Sequence, residues 1–118
     1  MRIRDLSNEE IIDVVKPLAE HTENSWNSKD YHEFCRYLAG GSNDSDFTEE
    51  EFNRQLKESY DVFGCHTIGD LIAIHRNPDN VIVLWKVNFE KRKDPGLLMY
   101  EFIERDGQIL IPACSYHT

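Results

Sequence analysis

The chain lacks a long apolar run, a surplus of basic charge and enough cysteine for a disulfide framework. No stretch approaches the roughly 18 consecutive apolar residues of a membrane-spanning helix. The first ten residues turn acidic at once and carry no apolar core of the kind a secretory signal needs. The three cysteines, Cys35, Cys65 and Cys114, are odd in number and widely spaced, which fits buried thiols in a reducing compartment. The cytoplasm is the expected location. A net charge of −9 argues against nucleic acid as a partner, because a phosphate backbone calls for a basic face. The charge is uneven: residues 1–65 hold 7 Lys and Arg against 15 Asp and Glu, whereas residues 66–118 hold 6 against 7. Solvated outer faces of helices would account for the acidic half.

Catalytic signatures are also missing. The histidines (His21, His32, His66, His75, His117) fall at no metal-ligand spacing, and there is no Cys-x-x-Cys. No phosphate-cradling glycine loop, nucleophile elbow or dinucleotide fingerprint occurs. The residues therefore point to neither a metal nor a cofactor. Cys35 and Cys114 sit among apolar neighbours and read as buried small residues, not nucleophiles.

What is present is a core. At 118 residues the chain is expected to form one domain over its whole length, 1–118. Val81-Ile-Val-Leu-Trp-Lys-Val-Asn-Phe89 is its longest apolar, β-branched and aromatic run. Val81, Val83, Trp85, Val87 and Phe89 share one parity, so one face of a strand here is wholly apolar.

Three helices precede it. Ser7 with Glu10 makes a capping box, Leu6 with Ile11 the matching staple, and Ile11, Val15, Leu18 and Thr22 repeat at helical spacing. Pro17 predicts a kink near residues 13–17, or two short helices meeting there. Asp30 with Glu33 starts a short second helix with Tyr31, Phe34, Cys35 and Leu38 as its buried stripe, ended by Gly40-Gly41. Residues 41–46 read as a flexible loop. Thr48 with Glu51, and Phe47 with Phe52, start a third helix lined by Phe52, Leu56, Tyr60 and Phe63.

After Gly64 the period changes to two. Four strands are expected at about 66–76, 80–90, 97–105 and 108–117. They are separated by Asn77-Pro78-Asp79-Asn80, Lys93-Asp94-Pro95-Gly96 and Asp106-Gly107. The Asp-Gly hairpin predicts Arg105 opposite Gln108, Ile103 opposite Leu110, Phe102 opposite Ile111 and Tyr100 opposite Ala113. Leu98, Tyr100, Phe102, Ile109 and Ile111 then share one face. Leu97, Met99, Ile103, Leu110, Cys114 and Tyr116 share the other, with Glu101 among them. Helices can cover only one face, so a second copy of the sheet is the expected cover for the other, giving a homodimer. The fold class is α+β: about three N-terminal helices on a curved four-stranded antiparallel sheet.

This pattern resembles the nuclear-transport-factor-2-like superfamily, whose cystatin-like fold is cone-shaped. The resemblance rests on Trp26-Asn-Ser-Lys-Asp-Tyr31 followed by Phe34, Tyr60-Asp-Val-Phe-Gly64, the strand through Trp85, and Asp106-Gly107. The superfamily includes steroid isomerases, polyketide cyclases, dehydratases and epoxide hydrolases, together with binding and assembly modules that have no chemistry. No isomerase or hydrolase residue set carries over onto this sequence.

Such a cone implies a pocket between the first helix and the sheet, and Trp26, Tyr31, Tyr60, Tyr100 and Phe102 are the candidates to line it. Plain core packing is the competing account of these aromatics. His66 and Asp70 share a parity on the first strand, so together they are candidate acid–base residues, or else the wet end of a strand. Glu101, mid-strand among apolar residues, is either a functional carboxylate or the partner of Lys86 or Arg105 in an ion pair. The expectation is a non-catalytic small-ligand-binding or protein-interaction module. The alternative is a cofactor-independent lyase, isomerase or hydrolase acting on a small hydrophobic molecule.

Overall fold

Ser7 and Glu10 close their capping box reciprocally. The Glu10 amide donates to Ser7 Oγ at 3.1 Å, and the Ser7 amide donates to Glu10 Oε1 at 3.0 Å. This comes from a computed structural model, which describes residues 2–41 and 47–118. The expected loop at 42–46 lies outside the described residues. Behind the box, α1 runs from Asn8 to Asn27 as one helix, passing through Pro17 without a break. Of the two outcomes expected at Pro17, a kink or two short helices, the division into two helices does not occur. The ring removes a single N–H, and the buried stripe Ile11, Val15, Ala19, Thr22 continues through it to hold both halves on the sheet.

The second helix is shorter than its stripe suggests. α2 spans only Tyr31–Phe34, capped by Asp30 Oδ1, which accepts from the Glu33 amide at 3.2 Å. The chain then turns, and Leu38 bridges Ile111 instead of continuing the helix. The Ala39 amide donates to the Ile111 carbonyl, and the Ile111 amide donates to the Tyr37 carbonyl. α3 spans Glu49–Phe63; Thr48 caps it and the Phe47 ring packs on Phe52 with centroids 6.2 Å apart.

The sheet is a four-stranded antiparallel meander in the order β1 (His66–Arg76), β2 (Val81–Phe89), β3 (Arg92–Arg105) and β4 (Gln108–His117). β2 is internal, and its Val81, Val83, Trp85, Val87 and Phe89 side chains are all buried. They meet Ile11, Val15 and Ala19 of α1 and Leu98, Tyr100, Phe102 and Ile111 of the β3–β4 hairpin. A second cluster, Trp26, Tyr31, Phe34, Cys35, Phe52 and Leu56, joins the three helices.

Irregularities bend this sheet, and they correct three expectations. The β2–β3 turn is Glu90-Lys91, not Lys93–Gly96. The Glu90 and Lys91 amides donate to the Cys65 and Phe63 carbonyls, which ties the turn to the end of α3. Lys93-Asp94-Pro95 is instead absorbed within β3 between the pairs Phe89–Arg92 and Val87–Gly96. In the last hairpin Arg105 opposes Gln108 and Ile103 opposes Leu110, but Tyr100 opposes Cys114, not Ala113. One extra residue of β4 is accommodated beside Pro112, which has no amide to give the ladder. That slip turns Cys114 and Tyr116 onto the helix-facing side, where both pack against the core. In β1 two shifts between Ile68 and Ala73 put Asp70 on an exposed bulge while His66 is buried, so their shared parity is broken.

The outer face carries Ile82, Leu84, Leu97, Met99, Ile103 and Leu110, all half-buried. Among the described residues, no helix is long and apolar enough to cross a membrane.

Candidate functional site

The last two turns of α1 place Glu23, Trp26 and Asn27 on one side, three and four residues apart. All three reach His66, the first residue of β1. Glu23 Oε1 lies 2.9 Å from His66 Nδ1. The Trp26 ring stacks on the imidazole, with centroids 5.8 Å apart and planes 26° from parallel. Asn27 clamps the His66 backbone: its Nδ2 donates to the His66 carbonyl at 2.8 Å, and its Oδ1 accepts from the His66 amide at 2.7 Å. Phe89 and Tyr116 meet the ring edge-on, with centroids 5.2 and 5.0 Å away.

The second carboxylate oxygen of Glu23 accepts a 2.5 Å hydrogen bond from the Tyr100 hydroxyl. Glu23, His66 and Tyr100 are respectively 6%, 4% and 0% exposed, so this is a buried network. Burial, with the Glu23 carboxylate second, pushes the Tyr100 hydroxyl well above its ordinary value, so it remains a donor. A carboxylate can only accept, so the network assigns the ring hydrogen of His66 to Nδ1. In the neutral ring, Nε2 is then left as an acceptor.

His66 and Trp26 help to line a cavity of about 300 Å³. Phe34, Leu98 and Tyr116 complete its apolar wall, and Glu23, Gln55, Cys114 and Ser115 add polar atoms. None of these lining residues is a lysine or arginine. Two buried ring nitrogens, Trp26 Nε1 and His66 Nε2, have no hydrogen-bond partner among the described residues. The Cys114 thiol is pushed up to about 12, first by burial and then by the Glu23 charge, which leaves it un-ionised and unreactive at neutral pH. Among the described residues, no three His, Cys, Asp or Glu side chains gather as a metal site.

The residues singled out from sequence scatter. His66 and Trp26 stand at the cavity, and Tyr100 supports it from behind through Glu23. Tyr31 is buried in the helical cluster, its hydroxyl donating to the Phe47 carbonyl at 2.8 Å. The Tyr60 hydroxyl sits 3.1 Å from Cys65 Sγ, and the Lys29 ammonium lies 4.3 Å from its ring centroid. Phe102 is core, stacked on Tyr100. Neither Tyr31, Tyr60 nor Phe102 lines this cavity. Asp70 is exposed on its bulge. Glu101 lies on the outer face, where it accepts a 2.5 Å hydrogen bond from Asn80 Nδ2 and not an ion pair from Lys86 or Arg105.

Glu23 is the site residue that sequence reading passes over. Its signal is positional: it continues the Ile11, Val15, Ala19 stripe at the next fourfold step and precedes Trp26 by three. A carboxylate on that stripe has to be buried, and so has to be paired.

No protein-family model matches the sequence, and no curated protein does. Solved structures do match in shape. A protein of unknown function with a cystatin-like fold from Nostoc punctiforme aligns with a TM-score of 0.61 at 16% identity, covering 94% of this chain and 92% of its own. An NTF-2 like protein of unknown function from Shewanella oneidensis aligns at 0.60 and 14%, covering 88% and 96%. A protein of unknown function from Mycobacterium tuberculosis aligns at 0.61 and 13%, covering 93% and 73%. With three helices set on a curved antiparallel sheet, the chain has the nuclear-transport-factor-2-like, cystatin-like cone fold.

Proposed function

We propose that the cavity is a cofactor-independent acid–base site acting on a small hydrophobic molecule, with His66 as the proton acceptor. The observation that carries this is the 2.9 Å contact between Glu23 and His66, two buried side chains at the wall of one cavity. Glu23 fixes the imidazole tautomer and stabilises the imidazolium that forms when Nε2 takes a proton. Tyr100 holds the carboxylate in place from its far side, and Asn27 fixes the backbone that carries the ring. A binding module without chemistry would keep ionisable groups at the rim of its pocket. Here they lie within the wall, which favours the catalytic reading.

The test is the ring opening of a nitrobenzisoxazole, a neutral two-ring molecule whose C–H proton is removed as its N–O bond breaks. A general base in an apolar site contributes roughly 100-fold or more. The wild type is expected to exceed His66→Gln by at least that ratio, with Glu23→Gln falling between. Equal rates in wild type and His66→Gln, with both folded, would discard the reading.

We also propose that a second copy of the chain covers the outer sheet face. The apolar side chains of Leu84, Leu97, Met99 and Ile103 on that face support this. Native mass spectrometry checks it: the expected result is a dimer, and a monomer at micromolar concentration counts against it.

A further inference from the structure

A second cavity, of about 260 Å³, adjoins the one beside His66 and lies between β4 and the turn that follows α2. Phe34, Gln55 and Cys114 line both cavities, so these three side chains stand at the common boundary. Aromatic surface continues across it. The Phe34 ring has Trp26 of the first cavity 5.9 Å away and Phe47 of the second 5.7 Å away, centroid to centroid. β4 also runs along both: residues 114–116 line the first cavity and residues 111–114 the second. At about 3.3 Å per residue, that stretch of strand spans roughly 16 Å. The boundary itself carries no charge. It consists of a phenyl ring, an amide whose nitrogen donates to Glu51 Oε1 at 3.2 Å, and a thiol that burial keeps un-ionised.

The two cavities differ in chemistry. The first holds the Glu23–His66 pair, whereas no charged side chain lines the second. Leu38, Phe47, Ile111, Pro112 and Ala113 form most of its wall. A dry cavity of about 150 Å³ takes benzene, with its six carbons. The first cavity, at about 300 Å³, has room for a polar group on a short frame, and the second nearly doubles that space. Neither is lined by a lysine or arginine, so a carboxylate ligand would meet Glu23 without a compensating partner. We infer that the two cavities are halves of one binding trough for an uncharged, elongated amphiphile. Its polar head lies beside Glu23 and His66, and its unbranched apolar tail follows β4 past Gln55 into the second cavity. The placing of the head rests on the acid–base reading; the placing of the tail does not.

Calorimetric titration with hexanol, dodecanol and dodecanoate tests it. Each methylene taken out of water is worth about fourfold in affinity, so dodecanol should bind at least tenfold more tightly than hexanol. Dodecanoate should bind at least tenfold more weakly than dodecanol. Ala39 and Ala113 line only the second cavity. In Ala39→Trp and in Ala113→Trp, hexanol affinity should stay within twofold of wild type, while the dodecanol advantage falls below threefold. Amide shifts read the same question in the wild-type chain. Hexanol should move Ser115 and Tyr116, and dodecanol should move Ala39 and Ala113 as well. Dodecanol shifts confined to Ser115 and Tyr116, a dodecanol advantage unchanged in the folded variants, no dodecanol binding, or tighter binding of dodecanoate would each overturn the inference. None of these readouts needs turnover. Nitrobenzisoxazole opening without any dodecanol advantage removes only the trough, and the converse removes only the catalytic role and the placing of the head.

Discussion

One carboxylate joins three elements: Glu23 of α1 stands 2.9 Å from His66 Nδ1 on β1 and 2.5 Å from the Tyr100 hydroxyl on β3. The same contact pair that orients the candidate base therefore also fastens the helix to both halves of the sheet, so stability and the proposed function share a residue.

Glu23→Leu tests the structural half of that statement. The substitution keeps bulk but leaves the His66 and Tyr100 donors buried without an acceptor, at about 1–3 kcal/mol for each unsatisfied group. Urea unfolding is expected to show a loss in that range or above. A loss under about 1 kcal/mol would mean that water reaches these groups in the folded chain.

The alkaline limb of stability is the second prediction. Folding raises both the Cys114 thiol, from 9.0 to about 12, and the Tyr100 hydroxyl. The unfolded chain releases these protons first, so it binds fewer protons than the native state and stability falls as pH rises. For Cys114 the decline runs from about 9 to about 12, and it is absent at neutral pH. Unfolding measured across that window should be steeper for wild type than for Cys114→Ala. Identical slopes would show that the thiol is not excluded from water.

Gly96 offers a third test, at the close approach that the β3 irregularity creates. A Cβ there would come within 2.6 Å of the His117 carbonyl and 2.9 Å of the Phe89 ring. Backbone on one side leaves no easy relief, and Phe89 also packs against His66. Gly96→Ala should cost about 1–3 kcal/mol, as overpacking does. An unchanged melting temperature would place the β2–β3 irregularity elsewhere.

Trp85 is 1% exposed at the centre of β2. Trp85→Ala should cost about 3–5 kcal/mol in unfolding free energy, a large share of an ordinary domain's stability. A variant as stable as wild type would remove Trp85 from the core.

Much of this architecture is legible in the residues alone, because local chemistry decides it. Ser7 with Glu10, Thr48 with Glu51 and Asp106-Gly107 each specify a helix start or a turn through bonds within a few residues. Asp106 and Gly107 both take the positive φ values, 53° and 78°, that such a hairpin turn demands. Alternation does the same for β2. The bulges are a different matter. Whether Cys114 and Tyr116 face the helices or the outside depends on one extra residue near Pro112, and a period-two pattern carries no sign of where the count slips. His66 and Asp70 part company for the same reason. Glu23 escapes notice because a glutamate on a helix ordinarily faces water, and only the distant His66 and Tyr100 make its burial tolerable.

Asn27 holds the main chain of His66 at both its amide and its carbonyl, one step along the helix from the residue that holds the ring. The position of the imidazole is therefore tied to the seating of the final turn of α1. Any excursion that lifts that turn from the sheet strips away the clamp, the stacking partner and the carboxylate together.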